Sequence, residues 1–451
     1  MKSTRLLFHL FKSISFDKAI SFVFRQCILS PAYNRSIIFT APPTHGSTFC
    51  AEAIVDDSKD IVVKLLERDV SAREWMESIE QCEGPWYGVG AYTVLRCDAA
   101  YSTSIRLNGS KGIRWHIWGI DYHMDRLCTS YCKLIDSESA SIAHQTMDFD
   151  ESKKDTDRVI KTLLDKVPRW CVSDHNLESD DEMHRTLMLT VLWTPSKSDN
   201  SAKTPVLRAH ASFAGSVRAT FQDQMPVPMS ACLGLPEKLT QDDLAALPAR
   251  YTNGEANSSQ IISAGASAKV SSWCRFRRPL EDQSRYKIPE MNVGEVLLVN
   301  QYKNTTTDFI ESLEVLEGLT SNFFVIYKDG TVRTAPANKV LPGYSRHLVM
   351  KALQKKSLTS IDGSSLKLDE RAPTVQDALD GLWSEVFVTS SIRLVIPVNR
   401  VLIPSYYNGG PSGMAVIWHV DGFEHTALLR SAEFQMGIDE SSIYLSDFIE
   451  V

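Results

Sequence analysis

The hydrophobic pattern of the chain is most regular between residues 317 and 346. The run NFFVIY, which begins at Asn322, is apolar after its first residue and is typical of a buried strand. Lys328-Asp329-Gly330 has the composition of a hairpin turn, so a return strand is predicted to end at Thr334. This segment therefore predicts a β-hairpin.

A Pro-Gly break follows the hairpin at Pro342-Gly343. The sequence after the break predicts a helix from Ser345 to about Gln354. The first N–H groups of a helix lack partners within the helix and attract anions, so the helix start is a candidate phosphate site. On the other side of the hairpin, Glu317 precedes a Gly turn, where an ordinary turn glutamate is the simplest interpretation.

Strands and helices mix elsewhere along the chain without strict alternation. Predicted strands cover 88–96, 112–118, 187–193, 295–299 and 385–389, and predicted helices cover 120–134, 150–167 and 375–382. Pro168 is expected to end the helix that begins at Asp150. The mixture predicts the α+β class with mixed sheets.

Length and local composition divide the 451 residues into four parts. Residues 1–36 are an extension, and residues 37–213 are predicted to form a smaller N-terminal α/β domain. The Pro-, Gly- and polar-rich stretch 214–263 is interpreted as an interdomain connection with an insertion. Residues 264–451 are predicted to form the C-terminal domain.

The net charge of −7 argues against a general nucleic-acid or anionic-membrane binder. Nine cysteines, an odd number without a CxxC pair, favour a reducing compartment over a disulfide framework. Cys128 and Cys132 would share a helix face, but no second ligand pair lies nearby, so no metal site is predicted there. His175 and His184 flank an acidic stretch, 174–182, that is most simply a solvated loop.

Residues 1–36 contain several basic residues, one acid and apolar residues near helical spacing. This pattern is typical of an organelle transit peptide, with a mitochondrial destination ahead of a plastid. An ordinary basic amphipathic helix is the alternative, and the protein would then be cytoplasmic.

Lys269 stands in the run AKVSSWCRFRRPLE, where Arg275, Arg277 and Arg278 follow it closely. By spacing alone, a lysine on a basic surface helix is the simpler interpretation. Lys287 and Lys303 are the alternative lysines for a covalent role.

The order of these segments, with HMDRL at 123–127 and GAYTVLR at 90–96, resembles the core motif of the class IV aminotransferases. These are the fold type IV pyridoxal-phosphate enzymes, which include D-amino-acid transaminases, branched-chain aminotransferases and aminodeoxychorismate lyases. The run after Lys269 is similar to that of a plant and microbial branch of the family. The resemblance implies two domains, the larger C-terminal one barrel-like, with pyridoxal 5′-phosphate between them. It also implies a homodimer.

The resemblance also implies roles for individual residues. Lys269 is the Schiff-base and catalytic lysine, and Glu317 pairs with the pyridine nitrogen, with Glu314 a weaker competitor. Tyr92 lines the substrate side of the cofactor. The phosphate-binding residues are expected to be Arg126, Tyr344, Ser345, Ser390 and Ser391. Arg208 and His210 lie in the right region for the substrate carboxylate, but no motif assigns them to it.

The implied reaction is transamination between an amino acid and a 2-oxo acid, with Lys269 moving a proton as base and acid. Two alternatives stay open: lyase chemistry like that of aminodeoxychorismate lyases, and a cofactor-binding protein without turnover. No nucleic-acid or membrane partner is expected.

Overall fold

The computed structural model describes residues 50–55, 60–66, 70–107, 110–136, 149–171, 184–196, 205–213, 225–234, 268–278, 280–281, 293–301, 313–355, 358, 365–404 and 414–447. The extension 1–36, the acidic stretch 174–182, and the alternative lysines Lys287 and Lys303 lie outside these residues. The described part falls within one compact unit, 48–451. It contains two sheets with helices packed against them.

The first sheet is antiparallel throughout, with the strand order β16–β4–β3–β5–β6–β1–β2. Its strands are β1 (Cys50–Val55), β2 (Ile61–Leu65), β3 (Ala91–Leu107), β4 (Ser110–Ile117), β5 (His184–Thr194), β6 (Val206–Phe213) and β16 (Ser442–Asp447). Helices α2 (Ile120–Asp136) and α3 (Asp150–Cys171) pack their apolar residues against it. Side chains alternate between the two faces of a strand. Tyr92 therefore does not belong to the core under α2 and α3 but packs in a separate apolar cluster with Trp75 of helix α1 (Ala72–Tyr87).

The second sheet closes on itself, because β10 pairs with both β13 and β9. The closed ring runs through β7 (Met229–Gly234), β8 (Val293–Gln301), β9 (Leu313–Gly318), β10 (Asn322–Tyr327), β13 (Trp383–Ser390) and β14 (Leu394–Pro404). Phe323, Val325 and Val388 lie in its apolar core. This ring is the barrel of the molecule. It is extended by β11 (Thr331–Thr334), β12 (Lys367–Asp369) and β15 (Met414–His419).

Helices cover the outside of the barrel. Phe324 points away from the inner core and stacks on Phe387, with ring centroids 4.9 Å apart. Helix α5 (Tyr344–Gln354) and helix α7 (Glu424–Asp439) pack in this outer layer. Two short helices complete the description, α4 (Trp273–Phe276) and α6 (Val375–Leu379).

The α+β prediction is confirmed, and the closed ring agrees with the barrel-like expectation. The hairpin predicted from Asn322 to Thr334 is present, with its turn at 328–330. The prediction that Pro168 ends a helix was wrong, since α3 runs through it to Cys171. A proline inside a helix removes one donor but does not stop the turns that follow.

The domain limits stay a prediction. Strand β7, at Met229–Gly234, lies inside the stretch that the sequence suggested was a connection. Its six residues are all buried between β14 and β8, both of which run parallel to it.

Three kinds of feature are absent from the described residues: a metal-binding cluster, a disulfide and a membrane-spanning helix. No group of His, Cys, Asp and Glu there could hold a metal ion. No disulfide joins the described cysteines. None of the described helices combines the length and apolar character needed to cross a bilayer.

Candidate active site

A cavity of about 640 Å³ lies between the first sheet and the barrel. This volume is within the usual range for small-molecule sites. Seven of the eight residues that the sequence predicted for the site line it: Tyr92, Arg126, Lys269, Glu317, Ser345, Ser390 and Ser391. Segments far apart in the chain thus converge on one space.

Lys269 is held in the cavity wall by its backbone. Its N–H donates to Ser130 Oγ at 3.1 Å, and its carbonyl accepts from Tyr92 N–H at 2.9 Å. The next residue, Val270, forms a bridge with Ala91 at the start of β3. The lysine backbone is therefore an added edge of the first sheet, and its side chain faces the cavity.

The Lys269 amine makes no hydrogen bond within the described residues, and it lies 5.1 Å from the centre of the Tyr92 ring. Burial, and then the positive charges of Arg126 and Arg277, lower the pKa of Lys269 to about 7. A large fraction of this amine is therefore neutral near pH 7, which is the form that can act as nucleophile or base.

Glu317 is the next-to-last residue of β9 and lies directly opposite Asn322, the first residue of β10. Its Oε2 accepts from Asn322 Nδ2 at 3.2 Å and from the Leu341 N–H at 3.0 Å. Its Oε1 accepts no hydrogen bond within the described residues. Burial raises the pKa of Glu317 to about 8. The carboxyl group is thus fixed by one oxygen and offers the other to a ligand.

Glu314, the competing acid, lies on the same strand as Glu317 but does not line the cavity. It is ion-paired with Lys339 at 2.7 Å. The strand alternation therefore separates the two acids, and only Glu317 has the position expected of a ligand-binding group.

Arg126 projects from α2 towards the start of α5. Its Nη1 donates to the Pro342 carbonyl at 3.0 Å, and its Nη2 donates to Thr93 Oγ1 at 2.8 Å and to His123 Nδ1 at 3.0 Å. An arginine only donates, so His123 Nδ1 is unprotonated. Burial and the charge of Arg126 hold the pKa of His123 well below its usual value. Arg126 Nε is buried without a partner in the described residues.

Gly343 precedes helix α5 as its N-cap, and a glycine is required there because a Cβ would collide with Asn322 Oδ1. No side chain caps this N-terminus, and Ser345 lines the cavity next to it. The Ser345 hydroxyl donates to the buried carboxyl of Glu433 on α7. The free N–H groups of the first turn provide an anion site.

Tyr344 is the one predicted site residue whose side chain the structure does not bring into the cavity. Its ring packs against Tyr122, with centroids 5.5 Å apart, and against His123. Only its backbone N–H, in the first turn of α5, remains for the predicted phosphate role.

Ser390 and Ser391 lie where β13 ends, across the cavity from α2. The turn after them leads into Leu394, the first residue of β14, whose φ of 60° is a strained conformation for a leucine. Arg96 holds this turn by donating to the Ile392 carbonyl at 2.7 Å. Glu433 holds it as well, by accepting from the Val395 N–H at 2.8 Å. Such support from outside the turn is what keeps a strained loop in place.

Some of the cavity-lining residues were missed by sequence reasoning. Thr389, beside the predicted serines, has a buried Oγ1 without a hydrogen-bond partner in the described residues. Arg73, Arg277 and Arg393 also line the cavity. The basic run after Lys269 was the only signal for Arg277, and it does not reveal which of its arginines points inwards.

Arg208 and His210, considered for the substrate carboxylate, lie outside the cavity lining. Arg208 is paired with Glu83 and donates to Thr194 Oγ1 at 2.7 Å. His210 Nε2 lies 2.8 Å from Cys50 Sγ, and burial lowers the pKa of this histidine to about 4.

Comparison with known proteins gives one family and a set of similar folds. The model of the amino-transferase class IV family matches residues 265–401. No curated protein sequence matches the chain. A hypothetical aminotransferase from Mycobacterium tuberculosis in its PLP-bound form is 15% identical, with a TM-score of 0.48 over 86% of this chain and 99% of that chain. A branched-chain aminotransferase from Thermoproteus uzoniensis with norvaline is 11% identical, with a TM-score of 0.47 over 87% of this chain and 96% of that chain.

The matched range contains Lys269, Glu317, Ser345 and both predicted serines after β13. Over residues 265–401, the chain is therefore similar to the class IV aminotransferases.

Proposed function

We propose that the protein is a pyridoxal-phosphate-dependent aminotransferase that moves an amino group between an amino acid and a 2-oxo acid. One observation carries the proposal: a lysine amine without a hydrogen-bond partner in the described residues and a carboxyl oxygen without one face the same cavity as an uncapped helix start. These are the three groups needed for an aldehyde, a ring nitrogen and a phosphate.

The residues fit this cofactor. Thr389 Oγ1 and Arg126 Nε are buried polar atoms without partners in the described residues, as expected where a phosphate supplies the missing acceptor. The N–H groups at the start of α5, together with Ser390 and Ser391, would complete the phosphate-binding site. This set, with Arg126 and Thr389, is called the phosphate cup. When bound, the cofactor supplies the electron-accepting ring that makes the substrate Cα acidic.

Lys269 would hold the cofactor covalently and afterwards act as the base at the substrate Cα. Its amine can do both because burial and two guanidinium groups keep much of it neutral near pH 7. The Tyr92 ring below the amine limits where the amine can move.

Glu317 would accept a hydrogen bond from the protonated ring nitrogen through its free Oε1. Burial favours the neutral acid, but a cation in contact with the carboxylate lowers the pKa of Glu317 again. Asn322 and the Leu341 N–H fix the other oxygen, so the carboxylate cannot turn away. The pair would keep the ring nitrogen charged.

Two further expectations complete the proposal. Residues 1–36 act as a mitochondrial transit peptide, which imaging of a fluorescent fusion with and without these residues would test. The protein forms a homodimer, and the molar mass of the purified full chain, measured by multi-angle light scattering, would test this. A monomeric mass, or a cytoplasmic fusion, would contradict the respective expectation.

The main test is spectroscopic. Purified holoenzyme is mixed with single L- and D-amino acids, and the visible absorbance of the bound cofactor is followed. We expect the band to disappear with an amino donor and to return after a 2-oxo acid is added. Product release without any acceptor would indicate a lyase, and a band that no amino acid changes would indicate a binding protein without turnover. Either result would overturn the proposal.

A further inference from the structure

We propose that Arg277 binds the carboxylate of the amino-acid substrate. The substrates would then be amines that carry a carboxylate, and amines without one would react without help from Arg277. The inference rests on the proposed aminotransferase function. It fills a part of the site that sequence motifs leave unassigned.

The side chain of Arg277 lines the cavity together with Lys269, Tyr92 and Cys274. Its Nε lies 3.0 Å from Glu281 Oε1, but without the alignment of a hydrogen bond. Its two terminal nitrogens, Nη1 and Nη2, make no hydrogen bond within the described residues. The fork that normally binds a carboxylate is therefore open to a ligand.

The local charge favours an anion at this place. Arg73 Nη2 donates to both oxygens of Glu281, at 2.7 and 2.8 Å. Among the described residues, one carboxylate thus faces two guanidinium groups, and this pairing leaves an excess of one positive charge beside the cavity. Arg393 differs, because Glu295 lies 3.4 Å away as its own counter-ion. Arg126 is already placed in the phosphate cup.

The neighbouring arginines of the same run point elsewhere. Arg275 pairs with Glu80, and Arg278 lies 3.7 Å from Glu77, both acids of helix α1. Their side chains are about half exposed, whereas the side chain of Arg277 is only 14% exposed. The short helix α4 and the residues after it therefore turn one arginine inwards and two outwards.

Arg277 is also close to the reacting amine. Its charge is among the causes that lower the pKa of Lys269, together with burial and Arg126. When the Cα of an amino acid lies next to the Lys269 amine, its carboxylate is only one bond away from that carbon. The open guanidinium lies on the same wall as the amine, so it can hold this group while the amine takes the proton.

The test compares Arg277→Gln with Arg278→Gln as a matched control one residue away. Two probes of equilibrium binding are 3-methylbutanoate and glutarate, which carry carboxylates but no amine, followed by calorimetry with the full-length holoenzyme. The half-reaction is then followed with alanine, glutamate and 2-aminobutane, the last an amine without a carboxylate. Arg277→Lys keeps the charge without the fork, and it serves if the Gln variant does not fold.

We expect Arg277→Gln to weaken carboxylate binding and to raise the KM for amino acids by about 30-fold, the loss typical of a charged hydrogen bond. The reaction of 2-aminobutane, the cofactor content and the Arg278→Gln variant should change less than about 2-fold. Equal losses for alanine and glutamate place the α-carboxylate on Arg277, and a loss for glutamate alone places the distal one there. The KM of Arg277→Lys for amino acids should lie between that of the wild type and that of Arg277→Gln.

The inference is overturned if Arg277→Gln binds both carboxylates as the wild type does, if 2-aminobutane is affected equally, or if the wild type binds neither carboxylate. Failure of the proposed function has a different signature. In that case no amine donor changes the cofactor band of the wild type, while calorimetry still decides whether Arg277 binds a carboxylate.

Discussion

The two walls of the cavity differ in chemistry. The barrel wall presents one acid, Glu317, several hydroxyls from Ser345 and the end of β13, and one cation, Arg393. The opposite wall presents cations: Arg73, Arg126, Lys269 and Arg277. It is made from the first sheet, the helices packed on it and the segment 268–278. The difference suggests a division of labour, in which the barrel, helped by Arg126, positions the cofactor while the rest of the opposite wall supplies the base and the charges around it.

The division is testable because the groups on each wall can be changed separately. Damage to the barrel wall should alter cofactor electronics and orientation. Damage to the opposite wall should alter proton transfer and charge, except at Arg126, where it should weaken cofactor binding.

The largest effect is expected for Lys269→Ala on the cationic wall. Without the amine, both the covalent link and the base are lost, so turnover should fall by at least about 10⁴-fold. Steady-state kinetics measures the turnover, and cofactor titration monitored by absorbance shows whether the covalent link forms. Lys328→Ala is the exposed control. A variant that still forms the wild-type band would show that another lysine is used.

Glu317→Gln on the barrel wall should have the next largest effect. The amide cannot stabilise a protonated ring nitrogen as a carboxylate does, so kcat should fall by about 10²- to 10³-fold with the cofactor still bound. Glu314→Gln is the matched control, since this acid lies on the same strand and outside the cavity. Equal kcat values for the two variants would contradict the assignment of Glu317.

Arg126→Gln should chiefly weaken cofactor binding. It removes a charged donor from the phosphate cup and leaves the Pro342 carbonyl and Thr93 without their donor, so the Kd for pyridoxal phosphate should rise by about 30- to 100-fold. Fluorescence titration of the apo protein measures this, with exposed Arg114→Gln as control. An unchanged Kd would remove Arg126 from the cup.

The smallest effect is a pH dependence. Because the pKa of Lys269 is lowered to about 7, the neutral amine increases about 10-fold from pH 6 to pH 8 and then levels off. The rate at which the apo protein captures pyridoxal phosphate should follow this curve. Arg277→Gln should move the midpoint to higher pH, because its charge helps to lower the pKa. A rate that still rises above pH 9 would indicate an ordinary lysine.

The sequence predicted the barrel wall better than the opposite wall, for a physical reason. Glu317, Asn322 and the hairpin after them are placed by turns of a few residues, so local patterns predict the strands and the turn, although the role of Glu317 came from the family resemblance. Lys269 was identified through family resemblance, because its position depends on backbone pairing with β3, far away in sequence.

Long-range partners account for what the sequence did not reveal. Strand β16 pairs with β4 although more than three hundred residues separate them, and no local pattern specifies this pairing. Burial of strand β7 between two parallel neighbours is likewise set by the whole barrel. Arg277 differs from Arg275 and Arg278 only in direction, which depends on the acids of helix α1.

Helix α7 contributes Glu433 and Arg430, which hold the turn around Leu394 in its strained conformation. A ribosome makes this helix only after the whole barrel sequence has been synthesised. A nascent chain therefore lacks two supports of its phosphate cup until the residues from 424 onwards have emerged. Cofactor loading should accordingly be one of the latest events in the biogenesis of this enzyme.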